Sequence, residues 1–275
     1  MSLDLINIFN KKIQEKDIDW EVKGLASKSG IYTLGSDSKL LGRIFELIIT
    51  GVINEIANEN GLKVVIAESQ TVYPDFTLMR GEDDTQKIAI DIKTTYRRYY
   101  KKQPTNPRPF GFTLGSFASF LRNNTKNIQY PYSTYRKHYI IGFVYDRNEN
   151  ATEGKFYEGH SLEQIEPPYY NINLFIQEKY KIAGEKPGSG NTENIGSITS
   201  SNINDFIQGN GPFSKLGEEV FEDYWRNYPK YRAAEKNYTD LPEYFSWLAK
   251  TGRPYKELLD IYQDWSAKNP HLLPR

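Results

Sequence analysis

Cysteine is missing from all 275 residues, and methionine occurs only twice. Without a thiol there is no disulfide framework, no cysteine nucleophile and no cysteine–zinc centre. The three histidines, His138, His160 and His271, lie far apart in the chain, and no two have zinc-ligand spacing. A histidine metal site or a Ser-His-Asp triad is therefore not expected. There is no Gly-x-x-x-x-Gly-Lys-Ser/Thr segment and no Gly-x-Gly-x-x-Gly after a strand pattern, so nucleotide-fold chemistry loses weight. No run approaches the roughly 20 apolar residues of a membrane span. The N-terminus has neither a basic start nor an apolar core of the secretory kind, so the expectation is a protein that stays in the cytoplasm. What remains for chemistry is carboxylate, lysine and backbone.

Acid is also missing, but only locally. Thirty-five basic and 35 acidic residues cancel over the whole chain, yet residues 92–145 contain no Asp or Glu. The same stretch holds ten cations: Lys93, Arg97, Arg98, Lys101, Lys102, Arg108, Arg122, Lys126, Arg136 and Lys137. The other 25 basic residues face 35 acids, a formal −10. Tyr, Asn, Thr and Ser interleave the cations and are able donors to phosphate oxygens. Such a local field attracts polyanions whatever the net charge, although most charge runs are merely solvated faces. The acid-rich neighbour, 146–166, fits a segment kept away from the polyanion.

Apolar spacing organises the rest. Leu41, Ile44, Phe45, Ile48, Val52 and Ile56 recur at helical steps, predicting an amphipathic helix over 40–57 with Ser36 or Asp37 as its cap. Glu46 falls at the edge of that stripe, beside Gly42, Ile49 and Ile53, and reads as a boundary residue. Residues 63–67, 76–79, 87–96, 139–145 and 172–181 read as strands, and 218–228 and 255–267 as helices. The 97–111 segment, rich in Pro, Tyr and charge, reads as a surface excursion, and 187–197 as a Gly/Ser/Asn loop whose plain interpretation is a flexible linker. Strands and helices in this order predict an α/β fold with a mixed central β-sheet flanked by helices.

In the 87–96 strand, Ile88, Ile90 and Ile92 point one way, and Ala89, Asp91 and Lys93 the other. A hairpin turning at Gly81–Asp84 brings Asp75 opposite Ile90 or Asp91, so two carboxylates lie on adjacent strands. Without a cation they repel. One or two Asp groups completed by water is how Mg²⁺ is held next to phosphates. Lys93, on the same face, is placed to position a water or to stabilise charge on a phosphate. The composite is a metal-assisted phosphodiester hydrolase; the bland alternative is an Asp91–Lys93 salt bridge on a solvated strand.

Pro74-Asp75 with Asp91-Ile92-Lys93 is the PD-(D/E)xK nuclease pattern. Longer strings are more specific: Leu34-Gly-Ser-Asp-Ser-Lys39, Ile44-Phe-Glu-Leu47, Tyr73-Pro-Asp-Phe-Thr-Leu78, Lys87 through Tyr96, Arg122-Asn-Asn-Thr-Lys-Asn-Ile128, Gly188-Ser-Gly-Asn-Thr192, Asn194-Ile-Gly-Ser197 and Asp223-Tyr-Trp-Arg-Asn-Tyr228. In order, from the N-terminus to about Trp247, they resemble the EcoRV-like type II restriction endonucleases. The resemblance implies a restriction-endonuclease-like core. It implies a homodimer that cuts both strands of a short palindrome in duplex DNA with Mg²⁺, and GATATC cut to blunt ends is the leading target. It implies Asp75, Asp91 and Glu46 as metal carboxylates and Lys93 as the catalytic lysine. Base reading would fall to Gly188, Gly190, Asn191, Thr192 and Gln70, and phosphate contacts to Lys39, Thr113, Ser119, Asn124 and Lys126. It also implies one endonuclease domain over 1–250, with a dimerisation subdomain near 18–34, and a cognate DNA methyltransferase as functional partner in a bacterial cell. The chain departs from the family at a longer, more basic 97–111 excursion, at Ser69-Gln70-Thr71-Val72, at Ala118, and in 251–275, expected to be a helical extension. A structure-specific repair or junction nuclease with the same centre is the alternative; a catalytically idle DNA binder fits less well, because Asp75, Asp91 and Lys93 are all kept.

Overall fold

The computed structural model describes residues 3–69, 71–188 and 193–274. A helix, α1 (Leu5–Glu15), leads into two short strands, β1 (Gly24–Ala26) and β2 (Gly30–Thr33), and then the long helix α2 (Ser38–Glu59). Asp37 caps α2, accepting from the amides of Lys39 and Leu40. Five strands follow as a central sheet: β3 (Lys63–Ile66), β4 (Phe76–Met79), β5 (Lys87–Tyr96), and later β9 (Tyr135–Arg147) and β11 (Tyr169–Glu178). Their order is β11-β9-β5-β4-β3. The β5–β9 pair is parallel and the other pairs antiparallel, so the sheet is mixed, as the sequence pattern requires. The predicted 76–79 and 87–96 strands coincide with β4 and β5.

Between β5 and β9 the chain makes a two-stranded finger, β6 (Tyr99–Tyr100) and β7 (Gln103–Pro107), then β8 (Thr113–Ser116). Strand β10 (Phe156–Glu158) returns to β2, placing part of the acid-rich 146–166 segment on the small β1-β2-β10 sheet. After β11 come the single turn α3 (Lys179–Ile182), β12 (Ala183–Pro187) and β13 (Asn194–Ser197). The predicted 187–197 loop is thus corrected: Asn194–Ser197 is a strand pairing with both β12 and β8. The backbone amide of Gly188 donates to Asn194 O at 2.9 Å, extending the β12–β13 pairing to Gly188. Gly196 has to be glycine there, since a Cβ would stand 2.4 Å from Lys186 O.

Five helices complete the chain: α4 (Asn204–Ile207), α5 (Phe213–Leu216), α6 (Glu218–Asn227), α7 (Leu241–Lys250) and α8 (Lys256–Lys268). Two apolar cores result, one on each face of the central sheet. Ile90, Ile92, Ile141, Phe143 and Ile176 face α1 and α2; Ala89, Ile140, Val144 and Phe175 face β8, β13 and the C-terminal helices. Tyr262, Trp265 and Leu272 belong to the second core, so α8 and Leu272 pack into the main body. Among the described residues no helix is long and apolar enough to cross a membrane.

Candidate active site

Period-two alternation places the chemistry on the face of the sheet away from α2. Phe76 pairs with Ile90, so Asp75, one residue before β4, stands across from Asp91, as the hairpin reading anticipates. The Ile92 amide donates to Asp75 Oδ2 at 2.6 Å. Lys93 Nζ lies 2.6 Å from Asp91 Oδ2. The Asp91 side chain is 5% exposed and that of Lys93 25%, so the strand face is not solvated and the bland surface salt bridge is set aside. Burial first, and then the charge of Asp91, push Asp75 up to about 7. Burial works against the Lys93 ammonium, yet Asp91 and Asp75 hold it above its ordinary value. Two buried anions this close are stabilised by a cation between them, and oxygen-only ligation suits a hard divalent ion. The donor set therefore fits such an ion.

The pair opens into a cleft of about 230 Å³, lined by Thr71, Val72, Ser116, Ser119, Asn127 and Asn194 among others. Ser119 reaches it as a buried residue whose hydroxyl accepts from Asn127 Nδ2 at 3.2 Å. Ser116 escaped the sequence reading, and Asn127 and Asn194 entered it only within longer strings, without a role. Ser116 and Asn194 are register partners of β8 and β13, a pairing that carries no local signal. Through it β13 borders the carboxylates, with Asn194 lining the same cleft. Thr113, half-buried in β8, packs against Gly188, where a Cβ would meet Thr113 Oγ1 at 2.9 Å. Lys39 and Lys126 are exposed. Asn124 is committed to the fold through its oxygen, which accepts from the Ser133 amide at 2.8 Å. Gln70, Gly190, Asn191 and Thr192 lie outside the described residues.

Glu46 departs from both expectations. Ile49 and Ile53, read as edge positions, are fully buried, so the buried stripe of α2 is rotated toward Glu46, whose side chain is only 16% exposed. The boundary reading is therefore corrected. Glu46 is nonetheless not brought to the carboxylate pair: it belongs to the helix on the other face of the sheet and ion-pairs with Arg43. Among the described residues no three acidic or histidine side chains gather as a metal cluster. Its charge still contributes to the field at Lys93.

The basic stretch is divided, not a single face. Arg97 pairs with Asp146, Lys137 with Glu178, Arg136 donates to Gln86, and Arg122 donates to the carbonyls of Arg226 and Tyr228. Arg98, Lys101, Lys102 and Arg108 are exposed around the β6–β7 finger, with Arg98 over Tyr96 and Arg108 over Tyr100. A larger groove of about 1100 Å³ lies under α1, away from the carboxylate pair, and its Lys137 and Lys181 are already paired with Glu178.

Residues 16–249 match the family described as restriction endonuclease EcoRV. The chain belongs to this family. It is 43% identical over 248 residues to the type II restriction enzyme EcoRV of Escherichia coli, covering 89% of this chain and 96% of that protein. The NlaIV restriction endonuclease aligns with 100% of this chain and 93% of its own, at 11% identity and a TM-score of 0.39. As a member of the EcoRV family the chain is a type II site-specific deoxyribonuclease, and DNA is its substrate. The junction-nuclease and idle-binder alternatives fall away. Residues 250–275 lie beyond the matched stretch.

Proposed function

We propose that this enzyme hydrolyses both strands of GATATC at its centre, leaving blunt ends, with Mg²⁺ held by Asp75 and Asp91. The observation that carries the reading is the juxtaposition of these carboxylates and Lys93 on one buried strand face. Asp75 and Asp91 would hold the cation, which would supply charge neutralisation at the phosphate and a more acidic water. Lys93 donates to a phosphate oxygen and stabilises the charge that develops on it. Asp75 is held in place by the Ile92 amide and Asp91 by Lys93. Glu46 acts as an accessory carboxylate that tunes Lys93 through its charge. Ser119, facing the cleft, and Thr113, Lys39, Lys126 and the nitrogen of Asn124 contact phosphates. Gly188, Gly190, Asn191 and Thr192 enter the major groove and Gln70 the minor groove, with Asn191 pairing to adenine.

A palindrome requires two centres, and the three-stranded sheet supports a second copy of the chain as partner. Leu25, Tyr32 and Phe156 are cross-strand neighbours left 58%, 49% and 39% exposed. Such a row is what an isologous dimer covers. The 18–34 region is thus read as the dimerisation subdomain of an endonuclease domain over 1–250. Base methylation by a cognate methyltransferase would protect the chromosome of the bacterial cell whose cytoplasm holds the enzyme.

The test is a digest of unmethylated DNA of known sequence with Mg²⁺, followed by sequencing of the fragment ends, with the mass of the protein read by light scattering. Blunt ends within GATATC and a dimer mass are expected. Fragments ending elsewhere sink the target, resistance of the DNA sinks the centre, and a monomer that cuts both strands sinks the dimer.

A further inference from the structure

Behind the carboxylate pair lies a buried polar group that the proposed mechanism does not use. Lys179 is the first residue of α3, directly after β11; it lies beside the core that holds Phe175 and Phe120 and is 2% exposed. Its Nζ donates to the Tyr73 hydroxyl at 2.7 Å and sits 3.9 Å from the centre of the Tyr73 ring. That hydroxyl also bonds His138 Nδ1 at 2.8 Å. His138 is buried, and burial followed by the charges of Lys179 and Lys137 drives it well below its ordinary value, so its ring is neutral. Tyr73 is further held by stacking on Phe120, centroids 4.2 Å apart, and by backbone bonds to Asn127 and Gln129. Two residues on is Asp75.

A lysine in this place is unfavourable for folding. Burial brings its ammonium down to about 7 in spite of the nearby Asp91, and its one hydrogen bond among the described residues is to a phenol. An apolar side chain would pack beside the stacked Tyr73 and Phe120 rings at lower cost. Side chains that oppose stability and sit beside reacting groups are retained for what they do there.

We propose that Lys179 is a positioning residue for cleavage: through the Tyr73 hydroxyl it braces the turn that carries Asp75, and thereby sets the spacing of the two carboxylates. The proposal rests on the centre described under Proposed function. It makes an unusual pair of demands on Lys179→Met. The variant should melt at or above the wild-type temperature, because Tyr73 keeps its bond to His138 and a buried amine is gone. It should also cleave about tenfold or more slowly in single turnover, the scale on which partners of ligating groups act. Its DNA affinity without divalent cation should stay within about twofold of wild type. Tyr73→Phe, which keeps the ring and the stacking but leaves the buried Lys179 and His138 without that partner, should slow cleavage in the same way and melt lower than wild type. A wild-type rate in either variant overturns the proposal, as does a loss of rate in Lys179→Met that merely follows a loss of melting temperature. Should Lys179→Met not fold, the lysine is structural and the proposal is lost. Asp91→Ala is measured alongside: if it still cuts, the assignment of the centre has failed, and not the brace.

Discussion

On the face of the central sheet covered by α2, β5 contributes Ile90 and Ile92; on the opposite face the same strand contributes Ala89, Asp91 and Lys93. The first face is an ordinary interior. Phe45 stacks on Phe143 at 4.8 Å, and Ile49, Ile53 and Ile56 are fully buried against it. The second face buries Asp91, His138 and Lys179 within about the same depth of protein. One strand therefore carries stability on one side and chemistry on the other. A core spends no charge that packing does not need, so charges gathered under cover mark the side proposed to meet cation and phosphate.

Substitutions on the two faces should separate these roles. The largest effect belongs to Asp91→Ala, expected to abolish cleavage while the melting temperature holds or rises, because removing the carboxylate relieves its repulsion of Asp75. Residual cleavage near the wild-type rate would erase the distinction between the faces. Next comes Phe45→Ala, expected to lower the unfolding free energy by about 3–5 kcal/mol in denaturant titrations, with the folded fraction still cutting. A variant that is stable yet inactive would show that α2 shapes the centre directly. The smallest effect lies away from both faces, on the basic finger. Lys101→Gln combined with Lys102→Gln should reduce the slope of log binding constant against log salt by about two, with cleavage of a short duplex at low salt little changed. An unaltered slope would remove the finger from the DNA contact.

Much of this arrangement is legible along the chain. The alternation in 87–96, the turn at 81–84 and the Pro-Asp before β4 are enough to put Asp75 across from Asp91, because side-chain direction in a strand follows sequence parity. The helix read at 40–57 is a turn too short but correctly centred near α2. Glu46 was harder. Its edge position depends on where the buried stripe is centred, and only the sheet beneath α2 rotates that stripe toward Ile49 and Ile53. The strands β1, β8 and β13 were not visible at all. Gly24–Ala26, Thr113–Ser116 and Asn194–Ser197 are three or four residues long, each with a glycine, and have no alternation of their own. They are strands because a neighbour supplies the hydrogen bonds.

Local order alone thus determined the catalytic hairpin, the mixed sheet and the concentration of cations in 92–145, since strand parity, turn residues and charge are properties of adjacent positions. Tertiary packing decided which of those cations remain exposed, that Asn194 of β13 borders the carboxylates beside β8, and that Lys179, over a hundred residues from Tyr73 in the chain, meets its hydroxyl. These depend on which surfaces come together across the sheet, and no spacing within a single segment encodes that.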